Sequence, residues 1–171
     1  TEFHSTIRVD GEEINRFPSP LALWSLRDDA RPAGVHLRLG PEEDVLTAAH
    51  TGSRRLADPV TVARTFQFSR REPRLVVRDE IDGRGEHVVE FFFHAAPGAR
   101  IDVISEKAAV LRWPDGAAAR IAREAGPGLA WEERAGWFSP SYGVRIQRPV
   151  LVASARVKLP LSAVWRLSLG A

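Results

Sequence analysis

The residues best suited to acid–base or metal chemistry are five histidines: His4, His36, His50, His87 and His94. Imidazole binds metal ions and exchanges protons near neutral pH. However, no two of these histidines stand at a close ligand spacing such as His-x-His, and a zinc site needs three or four converging ligands. The chain also has no cysteine, which excludes disulfides and thiolate metal ligands. The pattern therefore favours surface or structural histidines over a complete metal site.

A second candidate for chemistry is the acidic cluster Asp79, Glu80 and Asp82. Two carboxyl groups on one face can act as the acid and base of a glycosidase. Neighbouring residues of a β-strand point to opposite faces, which argues against a pair made by Asp79 and Glu80. Nucleophile-elbow and glycine-rich phosphate-binding motifs are absent from the sequence. We therefore assign no catalytic residue within this chain.

Aromatic and arginine residues are the candidates for ligand binding. Trp131, Trp137, Phe138 and Tyr142 cluster in the last third of the chain, and such rings either fill a core or stack on a sugar. Two lysines stand among the 24 basic residues, so nearly all of the positive charge is arginine, whose planar fork suits carboxylates and sulfates. A GC-rich genome would also favour arginine. The candidate substrate-binding residues are Arg8, Trp137 and Tyr142.

Period-two alternation of apolar and polar residues dominates the sequence and predicts β-strands. Turn residues about every 8–12 positions separate these runs, as in a sandwich or barrel. The predicted strands are Thr6 to Asp10, Val35 to Leu39, Thr65 to Phe68, Leu75 to Ile81, His87 to Phe93, Ile101 to Ile104, Ala109 to Trp113, Ala117 to Glu124, Tyr142 to Ile146, Val150 to Leu159 and Ala163 to Leu169.

Four local features refine this prediction. Ile81 to His87, with Asp82-Gly83, predicts a hairpin between two central strands. Phe91-Phe92-Phe93 predicts a strand covered on both faces, which favours two packed sheets. Pro41 to Asp44 predicts one helical turn, and Glu12 to Pro20 predicts a loop. The predicted fold class is all-β: one large antiparallel two-sheet β-sandwich over residues 1–171.

Several segments together resemble the C-terminal domain of heparinase II/III-like polysaccharide lyases. Their order and spacing extend over nearly the whole chain. The segments are Phe3-His4-Ser5-Thr6-Ile7-Arg8-Val9-Asp10-Gly11, Ala49-His50-Thr51-Gly52, Arg70-Arg71, Leu75 to Asp79, Gly83 to His87, Phe92-Phe93-His94, Trp137-Phe138-Ser139-Pro140-Ser141-Tyr142-Gly143-Val144 and Leu159-Pro160. The family pattern has asparagine where this chain has Ser5.

The resemblance implies a β-sandwich that follows an α/α toroid in a larger enzyme. It also implies β-elimination of a uronate-containing acidic polysaccharide, such as a glycosaminoglycan or alginate, with the catalytic tyrosine and histidine mainly on the toroid. His4 matches a histidine that holds zinc in several members, and the other ligands are expected upstream of Thr1. We therefore expect this segment by itself to be inactive and to bind no cofactor.

Composition places limits on the partners and the compartment. The chain lacks methionine and its first predicted strand, Thr6 to Asp10, follows almost directly on Thr1, so we expect a piece of a larger bacterial protein, periplasmic or cytoplasmic. The basic residues are dispersed among 22 acids, and no apolar run reaches about 20 residues, so we expect neither a nucleic-acid nor a membrane partner. A non-catalytic carbohydrate-binding module and a structural module are the alternative interpretations.

Overall fold

A computed structural model describes residues 1–19, 21–22 and 24–170. Pro20, the end of the predicted loop, and Ala171, the end of the predicted domain, lie outside the described residues. The strands are β1 Ile7–Val9, β2 Pro32–Leu39, β3 Glu43–His50, β4 Thr61–Ser69, β5 Arg74–Asp82, β6 Glu86–His94, β7 Arg100–Ser105, β8 Ala108–Arg112, β9 Ala118–Ala125, β10 Ala130–Phe138, β11 Ile146–Lys158 and β12 Leu161–Leu169. One turn of 3₁₀ helix, Gly52–Arg55, follows β3.

The strands form two antiparallel sheets, which confirms the predicted fold class. The smaller sheet has the order β1-β6-β11-β10, and the larger one has the order β2-β3-β4-β5-β12-β9-β8-β7. One hydrophobic cluster between them draws residues from both sheets. At its centre the Trp165 ring lies 5.0 Å from the Phe91 ring and 4.9 Å from the Phe93 ring, measured between centroids.

The Phe91–Phe93 run is covered on both faces, as its composition predicts. Phe91 and Phe93 point into the core, and Phe92 points outward and packs against Val150 and Val152. Burying one such side chain contributes about 1.5–3 kcal/mol to folding. β6 therefore makes apolar contacts on both faces of the small sheet, with the core on one face and with Val150 and Val152 of β11 on the other.

The segment from Ile81 to His87 is not a hairpin, so that prediction is wrong. β5 pairs with β4 and β12, whereas β6 pairs with β1 and β11, and the connection crosses from the large sheet to the small one. The backbone amide of Leu159 donates to the Gly85 carbonyl at 3.0 Å, and Gly85 has a φ of +82°. Asp-Gly marks a tight turn, but a turn signal does not state which sheet receives the next strand.

Two further local predictions are wrong. Pro41 to Asp44 is a strand connection, because Arg38 pairs with Glu43 at 2.6 Å and β3 begins at Glu43. Tyr142 to Ile146 is mostly a turn, in which the Val144 amide donates to the Ser141 carbonyl at 3.1 Å and Gly143 has a φ of +76°. Both segments join neighbouring antiparallel strands.

The large sheet extends past the small one on one side. The guanidinium of Arg64, on β4, donates to the Ser5 carbonyl at 2.7 Å, which places the start of the small sheet over β4. β2 and β3 lie beyond it. Val35, Leu37 and Leu39 of β2 are 57%, 62% and 69% exposed. We call these three residues, with Phe66 and Phe68 of β4, the open face.

Candidate functional site

His4 lies at one end of the small sheet, immediately before β1. Its backbone amide donates to the Thr1 carbonyl at 3.1 Å, and its carbonyl accepts from Thr6 at 2.8 Å, so a tight turn holds the residue. The imidazole is exposed rather than sealed inside the core. His4 is therefore available to groups outside this sandwich.

His94, at the end of β6, stands beside His4. Its Nε2 lies 2.9 Å from the Glu2 carbonyl, and since a carbonyl only accepts, Nε2 carries the proton. Its Nδ1 is buried, and the described residues give this atom no hydrogen-bond partner. Burial, and then the charge of Arg148, lower the pKa of His94. The neutral form of the His94 ring is thus favoured relative to a free imidazole.

A zinc site needs three or four converging ligands. Within the part of the chain that the structure describes, no group of three histidine, cysteine, aspartate or glutamate side chains is placed to hold a metal. His4 and His94 alone do not meet the requirement. The residues present therefore do not fit a complete zinc site, and the zinc prediction for His4 depends on ligands from outside this chain.

Next to this corner, Arg8 lies on the outer face of the small sheet. Its Nε donates to Glu90 at 2.6 Å, its Nη2 to the same carboxylate at 3.1 Å, and its Nη1 to Glu2 at 2.8 Å. Arg134 donates to Glu90 from the other side at 2.9 Å, and both guanidinium groups lie over the Phe92 ring. Burial opposes ionisation of Glu90, but the two arginines outweigh it and lower the pKa of this carboxyl.

The two carboxylate partners of Arg8 determine how a substrate could reach its guanidinium. The Glu90 side chain is 8% exposed and forms the permanent half of the network, whereas Glu2 is 46% exposed. A carboxylate or sulfate ligand would therefore reach Arg8 by replacing Glu2, not Glu90. Binding of substrate by Arg8 stays a prediction.

Trp137 and Tyr142 lie on the hairpin formed by β10 and β11, beyond the end of β6. Trp137 is 41% exposed, and Tyr142 projects fully into solvent. The hairpin joins the His4 corner, because a Cβ built on Gly136 would lie 3.7 Å from the His94 ring. Trp131, at the other end of β10, packs edge-on against Trp165 in the core, with ring centroids 5.8 Å apart. The structure thus separates the aromatic cluster into core and exposed members.

The acidic cluster does not form a catalytic pair. Asp79 is fully buried, where it accepts from Arg64 at 2.5 Å and 3.0 Å and from the Trp165 indole at 2.9 Å. Glu80 and Asp82 point to the exposed side of the same strand. As the strand periodicity predicts, Asp79 lies on the opposite face of the strand from Glu80 and Asp82.

Two further histidines have structural partners. His87 is 3% exposed, with Nδ1 2.7 Å from the Asp10 carboxylate and Nε2 2.8 Å from the Arg84 carbonyl. Burial opposes its charging, but these two acceptors outweigh it and raise the pKa of His87. His50 accepts from the Gly52 amide at 3.3 Å, and burial, followed by the charge of Arg64, lowers its pKa. Nothing in the spacing of the histidines distinguished these roles.

The sequence matches the family described as "Heparinase II/III-like, C-terminal" over residues 1–165. The chain belongs to this family. Three of the motifs that carry the resemblance lie at the His4 corner, on β6 and on the β10–β11 hairpin of this heparinase II/III-like domain, and the others lie along β3, β5 and the strand connections. The sequence matches none of the curated proteins with which it was compared.

Solved structures show the same sandwich. The domain is similar to the heparan sulfate lyase HepC from Pedobacter heparinus, with 16% identity and a TM-score of 0.75, over 98% of this chain and 24% of that one. It is also similar to the heparinase III product of the gene BT4657, with 16% identity and a TM-score of 0.73, over the same two shares. The chain therefore spans about a quarter of the length of these lyases.

A solved structure of a different enzyme class has a similar fold, so the structural similarity does not identify the reaction. The 4-alpha-glucanotransferase from Thermococcus litoralis shares 9% identity and a TM-score of 0.55, over 95% of this chain and 27% of that one. At these identities a structural likeness shows the fold alone, because one fold supports unrelated chemistries. Among the residues that the structure describes, no helix is long and apolar enough to cross a membrane.

Proposed function

We propose that this domain is the C-terminal sandwich of a polysaccharide lyase that cleaves uronate-containing acidic polysaccharides by β-elimination. Membership of the heparinase II/III-like family over residues 1–165 is the observation that carries the proposal. The similar solved structures include heparan sulfate lyases, which supports the reaction class and an acidic polysaccharide as the substrate.

The partner that we propose is an N-terminal α/α toroid of the same enzyme. The relatives are about four times longer than this chain, so most of each lyase lies outside the matched domain. The open face supports a docked neighbour, because contiguous exposed apolar patches of this kind are uncommon on free-standing domains. An apolar cavity of about 290 Å³ continues from it towards Ser5 and His94.

The reaction needs three groups in one place. A base removes the C5 proton of the uronate, the electron pair forms the C4–C5 double bond, and the C4–O bond breaks with a proton delivered to the leaving oxygen. A positive group beside the carboxylate lowers the barrier, because it stabilises the charge that develops there. We assign the acid and base to the toroid and expect no elimination by residues 1–171 alone.

His4 and the binding residues take supporting roles in this proposal. His4 is exposed at the end of the small sheet and would supply one ligand to a zinc ion whose other ligands come from the toroid. Arg8 would contact an acidic group that displaces Glu2, and Trp137 and Tyr142 would stack on sugar rings. None of these residues is assigned as the base.

The test is the product of the reaction. An extended chain that carries this domain behind its N-terminal region is incubated with heparan sulfate, alginate and a neutral glucan. Elimination gives oligosaccharides with an unsaturated uronate, which absorbs ultraviolet light and lacks the added water of hydrolysis. We expect unsaturated product from an acidic polymer and none from the glucan. Hydrolytic product, or no product from any acidic polymer, would reject the lyase assignment.

His4 is tested in the same extended chain. His4→Ala is expected to lower the zinc content and the rate of elimination, whereas His36→Ala, on an exposed strand away from this corner, leaves both unchanged. Equal zinc in the two variants would remove His4 from the metal site.

A non-catalytic carbohydrate-binding module is the second candidate, and the exposure of Trp137 and Tyr142 favours it. Such a module would bind a glycan with the same affinity whether or not the N-terminal region is attached. Glycan binding by an extended chain that shows no elimination would favour this candidate over the lyase.

A further inference from the structure

Arg145 stands out among the arginines that lie over aromatic rings. Its guanidinium carbon is 3.9 Å from the centroid of the Trp137 indole. Arg8 and Arg134 also lie over a ring, that of Phe92, but both are paired with Glu90. Within the described ranges, no carboxylate lies within salt-bridge distance of Arg145. Its hydrogen-bonding edge is therefore not used by the fold.

The segment that carries Arg145 contains no acidic residues. The sequence contains no aspartate or glutamate after Glu133, so the whole hairpin tip and the strands that follow it carry only positive charge. An anion that approaches the tip therefore meets no carboxylate of this segment. A guanidinium stacked on an indole also keeps its planar fork free to bind a carboxylate or sulfate through two hydrogen bonds.

The tip is held in a defined conformation. Trp137 pairs with Gln147 in the β10–β11 ladder, so the indole stands on a hydrogen-bonded strand. The hydroxyl of Ser139 donates to the Ser141 carbonyl at 3.0 Å, which closes the turn that displays Tyr142. A ring and a cation fixed in this way lose little conformational entropy when a ligand binds.

From this geometry we infer that the tip of the β10–β11 hairpin binds an anionic sugar residue, with Arg145 gripping its carboxylate or sulfate and Trp137 supporting its ring. The inference deepens the proposed function and rests on it for the choice of a glycan. A nucleic-acid ligand is disfavoured, because phosphate-backbone binding uses a row of cations rather than one stacked arginine. Arg148, over Phe138 at 5.7 Å, lies on the other face of the hairpin and faces His94.

The test measures the affinity of the 171-residue chain for defined oligosaccharides at low salt by calorimetry. The probes are a heparan sulfate hexasaccharide, which carries sulfate and carboxylate, an alginate hexasaccharide, which carries carboxylate alone, and neutral cellohexaose. We expect Arg145→Gln to weaken binding of an acidic probe by about tenfold or more. Comparison of the two acidic probes identifies the group that Arg145 reads.

Matched variants separate the effect of the two-pronged Arg145 guanidinium from the effects of positive charge and of folding. Arg156→Gln is the control, because Arg156 is exposed on β11 and has no carboxylate partner in the described residues, but it lies far from the tip. It is expected to bind as the unaltered chain does. Arg145→Lys keeps the charge without the fork and is expected to restore only part of the affinity. Unchanged thermal unfolding midpoints in all variants show that the fold is intact.

The inference fails if the chain binds no acidic probe, if Arg145→Gln binds normally, or if Arg156→Gln weakens binding equally. It also fails if a DNA hexanucleotide binds more tightly than either acidic glycan. Elimination by the extended chain without Arg145-dependent binding would overturn this inference and leave the proposed function standing. Arg145-dependent glycan binding without elimination would do the reverse.

Discussion

At the scale of the residue, the buried charges explain more of the fold than of the function. Asp79 is fully buried and is neutralised by Arg64 in a two-pronged ion pair, and it also accepts from Trp165 at the centre of the core. In the sequence, this carboxylate was a candidate for catalysis. Its role in the structure is to join β4, β5 and β12 through their side chains.

Removal of this carboxylate should be costly. Asp79→Ala leaves the Arg64 charge largely buried without its partner, and we expect a loss of about 3–5 kcal/mol in the free energy of unfolding. Asp102→Ala is the control, because its ion pair with Arg112 is about half exposed and contributes between zero and about 1 kcal/mol. Urea unfolding of both variants measures the difference, and equal losses would contradict the assigned role of Asp79.

His87 should make stability depend on pH. Because the folded state raises the pKa of His87, the stabilisation is fully present below the unfolded pKa of about 6.5 and is lost as pH rises through the folded value. We expect His87→Gln to lower the free energy of unfolding by about 1–3 kcal/mol near pH 5.5, with a smaller deficit near pH 8.5. Chemical denaturation at several pH values measures this deficit. His36→Gln should show no such trend, and a deficit that grows with pH would have the wrong sign.

At the scale of the element, the small sheet depends on a close approach between β10 and β11. Gly136 is buried opposite Arg148, and a Cβ at this position would meet the Val150 side chain at 2.5 Å. Val150 is packed against Phe92, so it has little room to move. The glycine is therefore required by packing rather than by backbone conformation.

A single methyl group at Gly136 tests this packing. We expect Gly136→Ala to destabilise the fold by about 1–3 kcal/mol, because the β-branched Val150 or the strand itself must shift. Gly128→Ala is the matched control, since a Cβ at that exposed position meets nothing within 4 Å. Thermal unfolding compares the two, and similar midpoints would show that β10 adjusts without strain.

Strands with clean alternation were predictable from the sequence, and those without it were not. β5 and β6 carry unbroken apolar patterns and were found, and Ala118–Ala125 was found as β9 despite its helical composition. β3 and β10 were missed. The side chains of these two strands are mostly half-buried or exposed on both faces. Glu43–His50 and Ala130–Phe138 therefore show no alternation between apolar and polar residues. The sheet that receives each strand depends on long-range pairing, which the Asp82-Gly83 turn does not encode.

Some features of the candidate site were also predictable from the sequence, and others were not. The position of His4 at an open end followed from the motif that contains it, and the exposure of Trp137 and Tyr142 was one of two interpretations left open. Two features were not predicted: the Nδ1 of His94, which is buried without a hydrogen-bond partner among the described residues, and the guanidinium of Arg145, which lies over the Trp137 ring without a carboxylate partner there. Both depend on which strands are neighbours, so only the three-dimensional arrangement identifies them.

At the scale of the whole molecule, we propose that this sandwich is one part of a larger lyase. The apolar open face lies where the large sheet extends beyond the small one, and the exposed His4 lies at the end of the small sheet next to Ser5, which contacts β4. A docked N-terminal region would cover Val35, Leu37 and Leu39 and would bring its own groups to His4. Without that region, the edge strand β2 would exchange its amide hydrogens readily.

Hydrogen–deuterium exchange measures whether such a region docks on the sandwich, with the 171-residue chain and an extended chain carrying the N-terminal region compared under the same conditions. We predict strong additional protection of β2 and of residues 1–6 in the extended chain, with little change in β5 and β6, which are already in the core. Equal exchange of β2 and residues 1–6 in the two chains would contradict the account, because the open face would then have no partner in the enzyme.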